Sequence, residues 1–188
     1  MGKRIVIAVG SPRKKGNSAK LAELVAKGAK EGGARVETFY LNRMNISPCQ
    51  ACMKCQKKGA NGCAIQDDMT ALYPKLEEAD AIVIASPVYW FNLSAQTKLF
   101  IDRWFAKGVE EKNIFKGKSV AVLLTYGDTD PFRSGAVNGL RSIQDMCAYL
   151  GANVAGMVYG SANEPGEIAK NETLLDEAYQ LGRALSEG

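Results

Sequence analysis

Hydrophobic and polar positions follow two rhythms along this chain. Three short runs are apolar almost throughout: "RIVIAV" from Arg4, "DAIVIA" from Asp80 and "SVAVLL" from Ser119. A strand covered on both faces needs no polar side, so these runs predict central, parallel strands. "RVETFY" from Arg35 alternates more and reads as an edge strand. "VAGMVY" from Val154 contains a glycine and also reads as peripheral. Between the runs, apolar residues recur with a helical period. Leu21, Leu24, Val25 and Gly28 follow i, i+3, i+4, i+7, as do Thr97, Phe100, Ile101 and Trp104. Leu140, Ile143, Cys147 and Leu150 mark another helix, and Leu174, Ala178, Leu181 and Leu185 the last. The segment from Asp67 to Ala79 is less regular. Asp67 or Asp68 is its candidate N-cap, and Pro74 must kink it or lie in its first turn.

Five strands alternating with five helices predict an α/β fold: a doubly wound five-stranded parallel sheet with helices on both faces. The edge and centre assignments favour strand order 2-1-3-4-5, the flavodoxin-like order, whose ligand crevice lies at the switch between strands 1 and 3. The 188 residues favour one domain, 1–188, with neither repeat nor low-complexity linker.

Two loops at that switch carry candidate chemistry. "GSPRKKGNSAKL" from Gly10 joins strand 1 to a helix start. Helix N-termini present unpaired N–H groups and a positive dipole end, which suits phosphate. Ser11, Asn17 and Ser18 add short polar side chains, and Arg13 adds a planar cation. Neither the nucleotide-triphosphate loop nor the dinucleotide glycine fingerprint is present, so the cradle suits one phosphate group rather than a chain of them. "SPVYWFNLSAQTKLFIDRW" from Ser86 follows strand 3. It sets Tyr89, Trp90 and Phe91 in a row where the strand opens into the crevice. A flat ligand could stack on one or two of these rings. Pro87 stiffens the turn, Asn92 can reach polar ring edges, and Ser94 is the expected cap of the next helix. Trp104 and Phe105 read as core or subunit contact.

Composition narrows the chemistry. The net charge is +4 and the lysines are scattered, without the dense patch of a nucleic-acid binder. No apolar run is long enough to span a bilayer. No secretory leader is evident, so a cytoplasmic location is the expectation, where stable disulfides are rare. The chain has no histidine. That excludes Ser-His-Asp and Cys-His catalysis and any histidine-containing zinc site. Chemistry must come from a cofactor, carboxylates or thiolates.

A single-phosphate cradle beside an aromatic clamp suits FMN (flavin mononucleotide). In these motifs the chain resembles the NADPH-dependent FMN reductase group, which includes the multimeric flavodoxins and the iron–sulfur flavoproteins. "GSPRKKGNS" resembles that family's phosphate loop and "SPVYWFNLSAQTKLFIDR" its isoalloxazine loop. The likeness implies that Ser11, Arg13, Asn17 and Ser18 hold the FMN phosphate. It implies that Pro87, Tyr89, Trp90, Phe91 and Asn92 line the ring. Thr125, Tyr126 and Gly127 would approach from a third loop, although "TYGDTDPF" departs from the family's glycine-rich version. Asp128 or Asp130 could instead meet a partner subunit or lie in a solvated turn. The implied activity is an oxidoreductase, with hydride taken from NAD(P)H and passed to a quinone, a flavin or a protein acceptor. No protein side chain is assigned as catalytic. The alternative is an electron carrier serving ferredoxin-like partners. Family likeness also implies a homodimer or homotetramer.

Cys49, Cys52, Cys55 and Cys63 form C-x2-C-x2-C-x7-C within a long loop at 42–66. Loops of this length are usually functional or disordered. Three thiols at successive x2 spacing resemble the ferredoxin pattern, and the iron–sulfur flavoproteins carry a compact motif of this shape. A [4Fe–4S] cluster on these four cysteines therefore stands beside a second reading, in which the thiols pack or react near the flavin. Zinc is a third. Cys147 lies on an apolar helix face and reads as core.

Overall fold

Each fully apolar run becomes a strand with its side chains buried on both faces. The computed structural model describes residues 2–187. Its strands are β1 (Arg4–Val9), β2 (Arg35–Tyr40), β3 (Ala81–Tyr89), β4 (Asn92–Leu93), β5 (Ser119–Tyr126) and β6 (Asn153–Ser161). Its α-helices are α1 (Asn17–Glu31), α2 (Met69–Glu78), α3 (Ala95–Asp102), α4 (Ala136–Leu150) and α5 (Glu172–Glu187). The long strands are parallel and lie in the order β2-β1-β3-β5-β6. This is the path expected for five strands, but the sheet has a sixth. The two-residue β4 turns back antiparallel on β3, pairing Tyr89 with Asn92 and Val88 with Leu93. A two-residue strand has too short a pattern to appear as alternation.

Side chains of each central strand point alternately to two apolar layers. Val6, Ala8, Ile82 and Ile84 face α2, α3 and α4, where Leu72, Leu76, Phe100, Ile143 and Cys147 pack. Ile5, Ile7 and Val83 face α1 and α5, against Leu21, Val25, Ala178 and Leu181. β2 and β6 are the partly exposed edges, as their mixed patterns predict. Trp104 belongs to the core, stacked on Phe115 at 4.3 Å between centroids, whereas Phe105 reaches the surface.

α2 departs from expectation in detail. It runs from Met69 with Pro74 inside it rather than in the first turn, so Pro74 leaves one backbone carbonyl without its helical donor. Asp68 holds the cap position without a capping bond to the helix, its carboxylate accepting instead from the Asn45 N–H at 2.7 Å, while the Asp67 carboxylate accepts from the Met69 N–H at 3.0 Å. Among the described residues no helix is long and apolar enough to cross a membrane.

Candidate functional site

The loops after β1, β3, β5 and β6 meet beyond the carboxyl ends of the sheet and enclose a divided cleft. Its inner part, about 280 Å³, is lined by Ser11, Arg13, Gly16, Ser18, Pro87 and Thr125, among others. Its outer part, about 620 Å³, is lined by Trp90, Phe91, Asp128, Arg133 and Ser134. Val88, Tyr89, Tyr126 and Gly127 line both, so the two parts adjoin.

The inner part is built on the start of α1. Gly16 stands at the N-cap position and supplies no side-chain bond, and the first turn holds no acidic residue. Its N–H groups and dipole are therefore open to an anion. Ser11 Oγ accepts from the Arg13 N–H at 3.1 Å and shapes the turn. Ser18 Oγ is buried and has no hydrogen-bond partner among the described residues. A buried hydroxyl without a partner is costly, so this one calls for a ligand atom. With Arg13 exposed at the rim, these groups fit a phosphate. The floor is tied to α3. Ser94 Oγ donates to Gly10 O at 2.8 Å and caps α3 by accepting from the Thr97 N–H at 3.3 Å. A Cβ on Gly10 would lie 1.8 Å from Thr97 Oγ1, so only glycine allows this approach.

Asn17 takes a different part from the one expected of it. Its side chain is buried and occupied: Nδ2 donates to Ala162 O at 3.1 Å and Glu164 O at 2.9 Å, and Oδ1 accepts from the Ile168 N–H at 3.3 Å. The carboxamide staples the loop after β6 to the start of α1. What it leaves for an anion is its backbone N–H at the head of α1.

The aromatic row forms a tight turn between β3 and β4. Trp90 has φ 47° and Phe91 φ 64°. Two positive φ values are what a type I′ hairpin requires, and that turn normally takes Asn or Gly. Bulky residues there store strain, which persists only where surroundings impose it. Here Asn138 Nδ2 donates to Phe91 O at 3.0 Å, and the α4 N-terminus at Gly135 lies directly against Phe91. Trp90 is 93% exposed, and Tyr89 and Phe91 are also exposed. Asn92 Oδ1 is engaged locally, accepting from the Leu93 N–H at 2.8 Å. In the third loop Thr125 and Tyr126 are buried at the cleft floor, and burial pushes the Tyr126 phenol up. Asp128, held low by the N–H groups of its own turn, faces Arg133 at 3.8 Å in the outer part.

Residues 3–165 match the family profile described as NADPH-dependent FMN reductase. The chain belongs to this family. An Archaeoglobus fulgidus protein named iron-sulfur flavoprotein is 32% identical over 186 residues, covering 95% of this chain and 77% of the relative. A Bacillus subtilis protein, described as an NAD(P)H-dependent FMN-containing oxidoreductase, is 26% identical and covers 95% of this chain and 96% of its own. A solved NAD(P)H:quinone oxidoreductase from Methanothermobacter marburgensis superposes with a TM-score of 0.77, covering 100% of this chain and 98% of that one, at 23% identity. That last likeness shows the fold alone.

In this FMN reductase family member the cysteine loop packs on the α2 and α3 side of the sheet. Cys49 and Cys52 are exposed, Cys55 is buried, and Cys63 is half-buried against the α2 side of the core. Among the described residues no three metal-binding side chains gather. The four thiols, as arranged here, do not fit a cluster. Ala51 and Met53, between the first three cysteines, have φ 48° and 55°. The loop's stems are joined by an ion pair that no sequence motif marks. Arg103 and Asp67 side chains are fully buried, with Nη1–Oδ2 at 2.5 Å and Nη2–Oδ1 at 3.1 Å. Nη1 also donates to Ser47 O at 2.9 Å and Nη2 to Ile65 O at 3.4 Å. Burial alone would raise the Asp67 carboxyl, but hydrogen bonds from Arg103 and from the Ser47 and Met69 N–H groups outweigh it and hold it low. Burial likewise pushes the Cys147 thiol up to about 11, as befits a core residue.

Proposed function

We propose that this protein is an FMN-dependent oxidoreductase that takes a hydride from NAD(P)H and delivers electrons to a quinone, a flavin or a protein acceptor. The observation that carries the reading is the partnerless, buried Ser18 hydroxyl at an uncapped helix start, one cavity away from an aromatic wall. A planar ligand with one phosphate satisfies both ends. Ser18, Ser11, Arg13 and the first N–H groups of α1 hold the phosphate. Pro87, Tyr89, Trp90, Phe91 and Asn92 flank the ring on one side, and Thr125, Tyr126 and Gly127 on the other. FMN, when bound, supplies the hydride and single-electron chemistry; the protein binds, orients and shields. With no histidine in the chain, the titratable groups of the outer cavity are Tyr89, Tyr126, Asp128 and Arg133. That cavity has room for a nicotinamide or acceptor ring beside the flavin. Exposed Tyr89, Trp90, Phe91 and Phe132 support a second copy of the chain covering the cleft mouth, as a homodimer or within a homotetramer.

Titrating FMN into flavin-free protein, then mixing with NADPH in a stopped-flow instrument, tests this. The expected result is stoichiometric binding and rapid bleaching of the flavin band. Absence of FMN affinity would refute the reading.

The second reading, an iron–sulfur flavoprotein passing single electrons, is favoured by the cysteine spacing and by the names of several relatives. It requires the 47–63 segment to rearrange so that Cys55 leaves the core. Anaerobic purification with iron and flavin quantified decides it: four irons per flavin support the cluster on Cys49, Cys52, Cys55 and Cys63, and none removes it.

A further inference from the structure

The loop after β6 closes one wall of the inner cavity through Asn163. The segment is held from three directions. Asn17 staples Ala162 and Glu164, as described. The Ala162 N–H donates to Tyr126 O at 2.7 Å, fastening it to the third loop. The Glu167 carboxylate accepts from the Asn163 N–H at 2.7 Å and the Glu164 N–H at 2.9 Å. The Asn163 backbone is therefore fixed, while its side chain is exposed and has no hydrogen bond of its own among the described residues. Its position is specific. A Cβ on Gly127 would lie 3.0 Å from Asn163 Oδ1, so the carboxamide rests against the one glycine of the third loop that lines both parts of the cleft.

We propose that Asn163 is a binding residue for the polyol linker between the phosphate and the ring of the bound flavin. The inference rests on the FMN reading above. A carboxamide both donates and accepts, which matches hydroxyl groups, and it carries no charge to compete for a phosphate. Its place beside Gly127, at the junction of the two cavities, is where a linker must pass if the phosphate lies at Ser18 and the ring at Tyr89.

The test is flavin binding by fluorescence quenching, with FMN and riboflavin titrated separately into flavin-free protein. Asn163→Ala is expected to weaken both by the same factor, about 3- to 10-fold for one lost neutral hydrogen bond. Its melting temperature without flavin should match wild type, because the side chain makes no hydrogen bond among the described residues. Gly127→Ala should weaken FMN in the wild-type background and much less in the Asn163→Ala background, since the new methyl group acts by displacing the carboxamide. Loss confined to FMN would move the contact to the phosphate and overturn the proposal. Unchanged binding, a lowered melting temperature without flavin, or equal Gly127→Ala penalties in both backgrounds would overturn it too. If wild-type protein binds neither flavin, it is the parent reading that fails.

Discussion

Arg103→Met removes the guanidinium that clasps the cysteine loop and leaves the Asp67 carboxylate buried. Both side chains have almost no solvent contact, at 0% and 1%, so water cannot replace the lost partner. The carboxylate keeps only the Ser47 and Met69 N–H groups, and the carbonyls of Ser47 and Ile65 lose a donor. Breaking one side of a buried pair costs about 3–5 kcal/mol. With a urea slope of about 2 kcal/mol/M for a chain of this size, the midpoint should fall by about 2 M. Trp104, buried on Phe115, reports unfolding by fluorescence. Asp67→Asn with Arg103→Met should recover much of the loss, because no unpaired charge remains. The pH dependence has a definite sign. In wild type the Asp67 carboxyl lies below its ordinary 3.8, so the clasp stabilises fully above that value and fades as pH falls through the lowered one. Without Arg103 the carboxyl rises, and the variant's deficit should shrink in acid. A midpoint shift below about 0.5 M, or a double variant no better than the single, would refute this account of the clasp.

Three further outcomes follow from the same geometry. If the proposed site holds, Ser18→Ala should weaken FMN by about 10-fold while leaving riboflavin unchanged, as measured by fluorescence quenching, because the proposal gives its hydroxyl the phosphate as its one partner. Gly135→Ala should lower the melting temperature and alter the near-ultraviolet circular dichroism of the aromatic turn. Gly135 has φ 76°, and a Cβ there would lie 2.5 Å from the Phe91 Cβ, so the strained hairpin must shift. In reduced, iron-free protein at pH 8, iodoacetamide with peptide mapping should label Cys49 and Cys52 first. Cys147, buried and with its thiol raised to about 11, should react only on unfolding.

The parallel sheet was legible because burial on both faces writes an uninterrupted apolar run, and β1, β3 and β5 each carry one. The edge positions of β2 and β6 were legible for the converse reason. The helix start after β1 was legible as a candidate anion site from its place after the first strand, since a helix start binds anions whatever its exact residues. Asn17 shows the limit of that argument. A short polar side chain at a helix start signals hydrogen bonding, but only the fold reveals whether the partner is a ligand or a loop 145 residues away. The type I′ turn at Trp90–Phe91 was hidden because its residues lack the usual glycine or asparagine. The Asp67–Arg103 clasp was hidden because 36 residues separate its partners and neither sits in a periodic pattern. Asn163 was hidden for a related cause: the fourth loop reaches the cleft only through the crossover that ends in β6.

These observations give α3 a role beyond packing. Its first residues are locked to the loop after β1, through Ser94 Oγ to Gly10 O and the fit of Thr97 over Gly10. Gln96 Nε2 donates to Asn42 Oδ1 at 3.0 Å, touching the first stem of the cysteine loop. Arg103, immediately after the last helical residue, holds both stems. Eight helical residues span about 12 Å, so a short strut joins the anion cradle to the cysteine segment. Apart from the exposed Gln96–Asn42 bond, its ends are fixed by hydrogen bonds of buried side chains, and such bonds resist being partly made. A rearrangement of the cysteine loop that disturbs Arg103 therefore acts on the same helix whose first residues contact Gly10.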